Sequence, residues 1–126
     1  MGYRSQVVLA ISKHLTPFLT LAASQNTEAQ ALVFKDADTF DRDYGGDNSW
    51  LLVWDHLKWY DSFECIQTLE RFIIEAVSDE YEFEVDGVIQ NSSEHIKFVR
   101  VGEDSTDIES RGEGFWDIYA NTNICY

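Results

Sequence analysis

The chain has 126 residues, 44% hydrophobic and 14% aromatic, which suits one domain with a real core and excludes a disordered acidic tail. Acidic residues number 23 against 9 basic, a formal net charge of −14, so nucleic acid and anionic membrane are repelled and basic surfaces attracted in a salt-dependent way. Residues 1–35 hold Arg4, Lys13 and Lys35 against Glu28 alone, so the acidic excess falls on residues 36–126.

In chain order, QVVLAIS (6–12) is a short, β-branched apolar run and reads as a buried strand. LTPFLTLAAS (15–24) reads as a helix, with Thr16 as N-cap and Pro17 at the first helical position. Leu15, Leu19 and Ala22 share one of its faces, and Phe18 and Leu21 another. TEAQALVFKDA (27–37) opens with a Thr27-x-x-Gln30 capping box, which favours helix over a strand at ALVF. Residues 39–60 read as a hairpin turned by GGDN, whose residues tolerate positive φ. Strict alternation in its second strand sets Leu51, Val53, Asp55, Leu57 and Trp59 on one face, and Trp50, Leu52, Trp54, His56, Lys58 and Tyr60 on the other. DSFECIQTLERFIIEAV (61–77) is the clearest helix. Asp61 sits at N-cap spacing from Glu64, and Cys65, Ile66, Leu69, Phe72, Ile73 and Ala76 form its apolar stripe. YEFEV alternates Tyr81, Phe83 and Val85 inward with Glu82 and Glu84 outward, and Asp86-Gly87 turns it into VIQ. HIKFVRV (95–101) is another strand, 102–114 a polar loop, and 115–124 a final strand. The expected fold class is α+β: a mainly antiparallel sheet, with room for parallel pairs across the helices, and two or three helices on one face of a single domain spanning 1–126.

The motif inventory argues against an enzyme. His14, His56 and His95 form no zinc pattern, and P-loop, Rossmann glycines, CxxC and a nucleophile elbow are all missing. Asp36, Asp38, Asp41, Asp43 and Asp47 fit no calcium-loop register. Glu103, Asp104, Asp107 and Glu109 read as a solvated turn with capping roles for Asp104, Ser105 and Asp107, and with Ser105 or Thr106 as cap if STDIES makes a helical turn; a magnesium or calcium centre on Asp104, Asp107 and Glu109 is the weaker reading. No cofactor and no metal are expected. Arg100, beside Glu103, and Arg111 call for bidentate carboxylate partners. Cys65 and Cys125 have no motif spacing, VVLAI is too short for a secretory h-region, and no apolar run approaches the roughly 20 residues of a membrane span. A reduced cytoplasmic protein follows as the expectation. The aromatic segment WLLVWDHLKWY poses one choice: core packing, or an exposed anchor at Trp50 or Tyr60.

GYRSQVVLAI, LKWYDSF and FVRVGEDSTDIESRG together resemble a family of small uncharacterised bacteriophage and prophage proteins. That family opens with GYRS and an acidic residue, has an IKWY segment, and continues with RxGED and DIE. Gln6 departs from the acidic residue and Leu57 from the isoleucine. The resemblance implies a phage origin and residence in the cytoplasm of the bacterial host; it implies no catalytic residue. The expected function is a non-enzymatic acidic binding protein, a phage-encoded inhibitor of a host defence or nucleic-acid-handling complex of anti-CRISPR or anti-restriction type, imitating the charge of DNA. Its expected partner is a basic, nucleic-acid-binding host protein, without direct contact to nucleic acid or membrane. Asp36, Asp38, Asp41, Asp43, Asp47, Glu82, Glu84, Asp86, Glu103, Asp104, Asp107 and Glu109 would supply the charge, with Trp50 or Tyr60 as anchor. The alternative is a phage structural or assembly protein, a homodimer or larger homo-oligomer, formed through an edge strand and a patch of Trp116, Tyr119 and Tyr126.

Overall fold

The computed structural model describes residues 2–104, 106–114, 116–120 and 124–126. Strand β1 (Ser5–Ile11) leads into helices α1 (Thr16–Ala23) and α2 (Thr27–Phe34), then the hairpin β2 (Thr39–Tyr44) and β3 (Ser49–Leu57). Helix α3 (Glu64–Val77) follows, then the hairpin β4 (Glu82–Val85) and β5 (Val88–Asn91), a 3-10 turn at Ser92–His95, and strands β6 (Ile96–Gly102) and β7 (Ile108–Arg111). Two short strands, β8 (Tyr119–Ala120) and β9 (Ile124–Cys125), close the chain. The class is α+β. The main sheet has the order β2-β3-β1-β6-β7, and every pairing described is antiparallel.

The β-branched run of β1 makes it the central strand, buried on both faces. Val7, Leu9 and Ile11 meet the helices, and Val8 and Ala10 face the other way. On the helical side they join Leu52, Trp54, Ile96 and Phe98 against Leu19, Leu32, Ile66, Leu69, Phe72 and Ile73. On the far side Leu51, Val53, Val99 and Val101 are covered by Ile118 and Ile124 of the C-terminal segment. The expected strand over 115–124 is therefore replaced by separate short pieces. Phe115 and residues 121–123 lie outside the described residues.

Helix α3 is where its apolar period puts it: Ile66, Leu69, Phe72, Ile73 and Ala76 are buried. Its start differs. Phe63 occupies the cap position and Asp61 lies outside, offering its carbonyl to the Gln67 side chain at 2.7 Å. At α1, Leu15 is the cap and Thr16 is already helical, donating to the Lys13 carbonyl at 2.9 Å. At α2 the cap is Asn26, which accepts from the Ala29 amide at 2.8 Å, so the Thr27-x-x-Gln30 box is not used. Asn outcompetes the neighbouring threonine because its side chain reaches the third helical amide directly. The buried face of α1 is closed by Ala23, packed beside Leu19, while Ala22 is only partly buried and Leu21 is 64% exposed.

Strand β3 breaks the expected alternation. Ser5 pairs with Leu57 but Val7 with Trp54, so β3 holds one extra residue across that step. The bulge reverses the faces beyond it. Leu57 and Trp59 consequently pack against the helical core, not with Leu51 and Val53. The carbonyl of His56 within the bulge accepts from Arg4 Nη1 at 3.1 Å. The GGDN loop places Gly45, Gly46 and Asn48 at φ of 78°, 80° and 65°, and Asp86 and Gly87 are both at positive φ, as a two-residue primed turn requires. Residues 102–114 are not all loop: 108–111 pair with β6 as an edge strand, whose polar composition is what edges carry.

Candidate functional site

The acidic residues named from the sequence occupy three separate places. The first is the β2 edge. Asp36, Asp38, Asp41, Asp43 and Asp47 are all exposed. Their carboxylates also shape the hairpin: Asp38 accepts from the Asp55 amide at 2.7 Å, Asp41 from the Asp43 amide at 2.9 Å, Asp43 from the Asn48 amide at 2.9 Å and Asp47 from the Ser49 amide at 3.2 Å. Such side-chain-to-backbone bonds explain why aspartate recurs here. The second place is the β4–β5 hairpin, a two-stranded sheet of its own, where Glu82, Glu84 and Asp86 are exposed.

The third place is an ion-pair network around Arg100. Arg100 and Glu109 are direct cross-strand partners on β6 and β7. The guanidinium meets Glu109 at 2.7 and 2.9 Å, Asp107 at 2.8 and 3.1 Å, and the Ser5 hydroxyl at 3.0 Å. Asp107 also accepts from the Tyr3 hydroxyl at 2.8 Å. Burial opposes the charge on Arg100, but hydrogen bonds to Asp107 and Glu109 outweigh it and raise its pKa. The hydrogen bond from Arg100, then that from Tyr3, hold Asp107 below the usual carboxylate range. Arg111 continues the network, reaching Glu70 of α3 at 2.6 and 2.9 Å while its guanidinium lies 4.6 Å from the Phe98 ring centre. Gly102 lies beneath this network, where an added Cβ would displace the Tyr3 hydroxyl and the Asp107 carboxylate.

The remaining acids of that segment bind locally. Glu103 accepts from the Arg4 amide at 3.0 Å, so it is not the partner of Arg100. Asp104 accepts from the Thr106 amide at 3.0 Å and hydroxyl at 2.8 Å, making the aspartate the capping group. Ser105 lies outside the described residues. Asp107 and Glu109 are thus turned to the Arg100 guanidinium and Asp104 to Thr106, and no group of three potential metal ligands occurs among the described residues.

Neither aromatic candidate stands free. Trp50 is half-buried, edge-on to Phe40 at 5.1 Å and Phe34 at 6.0 Å, with Arg42 5.7 Å from its ring centre. Tyr60 is half-buried and lies 5.1 Å from the Phe63 ring. Trp54 is a core residue whose indole N–H donates to the Leu32 carbonyl at 3.0 Å, satisfying an acceptor in the last turn of α2. Trp59 packs on Phe98 at 5.3 Å and points its N–H at Glu70, 3.4 Å away.

Two features were not legible in the sequence. One is a cleft of about 870 Å³ between α3 and the Arg100 network, with Tyr3, Trp59, Glu70 and Arg71 in its walls. Its residues come from four distant segments, so no local spacing announces it. The other is a buried pair, Ser12 and His95, with Oγ 2.9 Å from Nδ1. The His95 Nε2 lies 3.3 Å from the Gln90 side-chain oxygen. Both partners are buried, at 5% and 8% exposure, which leaves no room for a substrate carbonyl and makes the pair a core hydrogen bond. Burial first, then the charge of His14, pushes the His95 pKa down.

No helix described is long and apolar enough to cross a membrane. Comparison with protein-family models, with curated proteins and with solved structures finds no match.

Proposed function

We propose that this protein is a non-enzymatic binding protein whose anionic surface occupies a lysine- and arginine-lined site on a partner. One observation carries the reading. Of the 23 acidic residues, ion pairs among the described residues engage Glu70, Asp107 and Glu109 and no others. The aspartates of residues 36–47 and the acids of the β4–β5 hairpin keep their charge turned to solvent. A surface built for solubility alone needs less charge than this, since a net magnitude of about 2–8 suffices for a small domain. The family resemblance supplies the setting: a phage protein acting in the host cytoplasm on a defence or nucleic-acid-handling complex, of anti-CRISPR or anti-restriction type, by imitating the charge of DNA.

The test is capture from bacterial lysate by the tagged protein, washed at low and high salt. A nucleic-acid-binding complex held at low salt and displaced by high salt or added DNA supports the reading. Recovery of the protein alone, or of a partner indifferent to salt, overturns it. The triple variant Asp41→Asn, Asp43→Asn, Asp47→Asn assigns the surface: it keeps the hydrogen-bond acceptors of the hairpin and removes three charges.

The assembly reading rests on a different observation. Tyr119 and Tyr126 are 53% and 50% exposed near the C-terminus, and Ile108 on the edge strand β7 is 44% exposed. Light scattering separates the two readings, because a strict monomer at all concentrations excludes a homo-oligomer.

A further inference from the structure

Helices α1 and α3 flank a groove of about 520 Å³. Leu21 on α1 faces Glu64, Arg71 and Glu75 on α3, over a floor of Phe18 and Tyr81. The floor is rigid. The Phe18 and Tyr81 rings stack at 4.7 Å, and the Tyr81 hydroxyl donates to Glu75 at 2.6 Å. Leu21 is left 64% exposed on the lip, an apolar side chain with nothing over it. Arg71 forms no hydrogen bond or ion pair among the described residues.

We infer that this groove docks a basic amphipathic helix of a partner protein. The inference rests on reading the protein as a binder of basic partners, but its groove shares no lining residue with the aspartate hairpin. The geometry favours a helix. From Glu64 to Glu75 the wall runs about 16 Å, three turns at about 1.5 Å per residue, and a channel between two helices accepts a third by ridges into grooves. A strand would need an open backbone edge, which two helix flanks do not offer. A second copy of this chain is disfavoured by charge, because it brings a further net charge of −14 and no α-helix among the described residues has a basic last turn. Nucleic acid and anionic lipid are repelled by the same carboxylates.

The wall also reads out a pattern: acidic, basic, acidic at Glu64, Arg71 and Glu75. A parallel helix matches it with a lysine, a glutamate seven residues on and a lysine four further, and an antiparallel helix has the two spacings exchanged. Leucines facing Leu21 and Phe18 complete the match.

The experiment uses fluorescein-labelled synthetic helices carrying these two patterns, each beside a peptide of identical composition with leucines and charges shuffled. Binding to the full chain is read by fluorescence anisotropy. One patterned peptide is expected to bind more tightly than its shuffled form. Leu21→Asn should weaken that binding at least about tenfold, as expected for losing one buried leucine contact. Arg71→Glu should weaken it too, although it makes the protein more acidic. Ile74→Asn, on the other flank of α3, and the triple asparagine variant of the hairpin should change it less than about twofold, as surface changes outside a contact do. Equal binding of patterned and shuffled peptides overturns the proposal. So does a loss on Ile74→Asn or on the hairpin variant equal to that on Leu21→Asn. If capture from lysate succeeds while every groove variant is silent, the binding function stands and the groove assignment falls.

Discussion

Single side chains in this protein decide which local rule prevails. Trp54 is in a strand because its ring fills the core, but its indole N–H also answers an acceptor in the last turn of α2. Trp54→Phe keeps most of the packing and orphans the Leu32 carbonyl. It should destabilise the protein by about 1–3 kcal/mol, seen as a lower urea midpoint with an unchanged m-value. His95 gives a pH dependence of definite sign. Burial lowers its pKa in the folded state, so the unfolded chain takes up the proton first. That contribution is complete above the unfolded pKa near 6.5 and is lost as pH falls through the folded value. Asp107 acts in the same direction at lower pH, since its folded pKa is also depressed. Thermal melts of His95→Gln should therefore be flatter between neutrality and mildly acid pH than those of the parent, and equal slopes would rule out His95 as the titrating group.

At the level of elements, the two flanks of α3 make opposite demands. Ile73 is fully buried, and Ile74 is 52% exposed. Ile73→Ala should cost about 2–5 kcal/mol through lost transfer energy and the cavity left behind. Ile74→Ala should stay within about 0.5 kcal/mol. Paired urea titrations check both, and a comparable loss at the two positions would contradict the burial. The amphipathic period of α3 was plain in the sequence, as were the hairpin loops at residues 45–48 and 86–87, because periodicity and turn chemistry are local. Strand β7 was not, because Ile108–Arg111 has the composition of a loop. It pairs because Arg100, directly opposite Glu109, supplies a cation where its carboxylate points inward. The β3 bulge was invisible for a similar reason. It is visible only in the register with β1, and alternation read along β3 alone carries Leu57 and Trp59 to the wrong face.

For the whole molecule, charge is the main variable. The hairpin acids and the Arg100 network sit toward opposite sides of a five-stranded sheet, with Arg100 on β6 three strand spacings from β2, or about 14 Å at about 4.8 Å each. They form separate surfaces, and their repulsion is long-ranged. With a net charge of −14 and few ion pairs to lose, added salt should raise the melting temperature at neutral pH by screening self-repulsion. A melting temperature that falls with salt would mean that specific pairs outweigh the repulsion. The same screening should weaken capture of a basic partner, so stability and binding are expected to respond to salt in opposite directions.

By itself the sequence determined the α+β class, the buried first strand, the long helix, both hairpin turns and the excess of negative charge. Each depends on neighbours within a few positions or on composition. Tertiary structure alone decided which carboxylates remain free. Asp107 and Glu109 read like the other acids of their segment, yet they are held by an arginine on the neighbouring strand, and Glu70 is held by Arg111 from 41 residues away. It also decided that Trp50 is wedged against Phe34 and Phe40 and that Leu21 is left uncovered beside α3. Ion pairing and burial depend on distances in space, and spacing along the chain does not encode them.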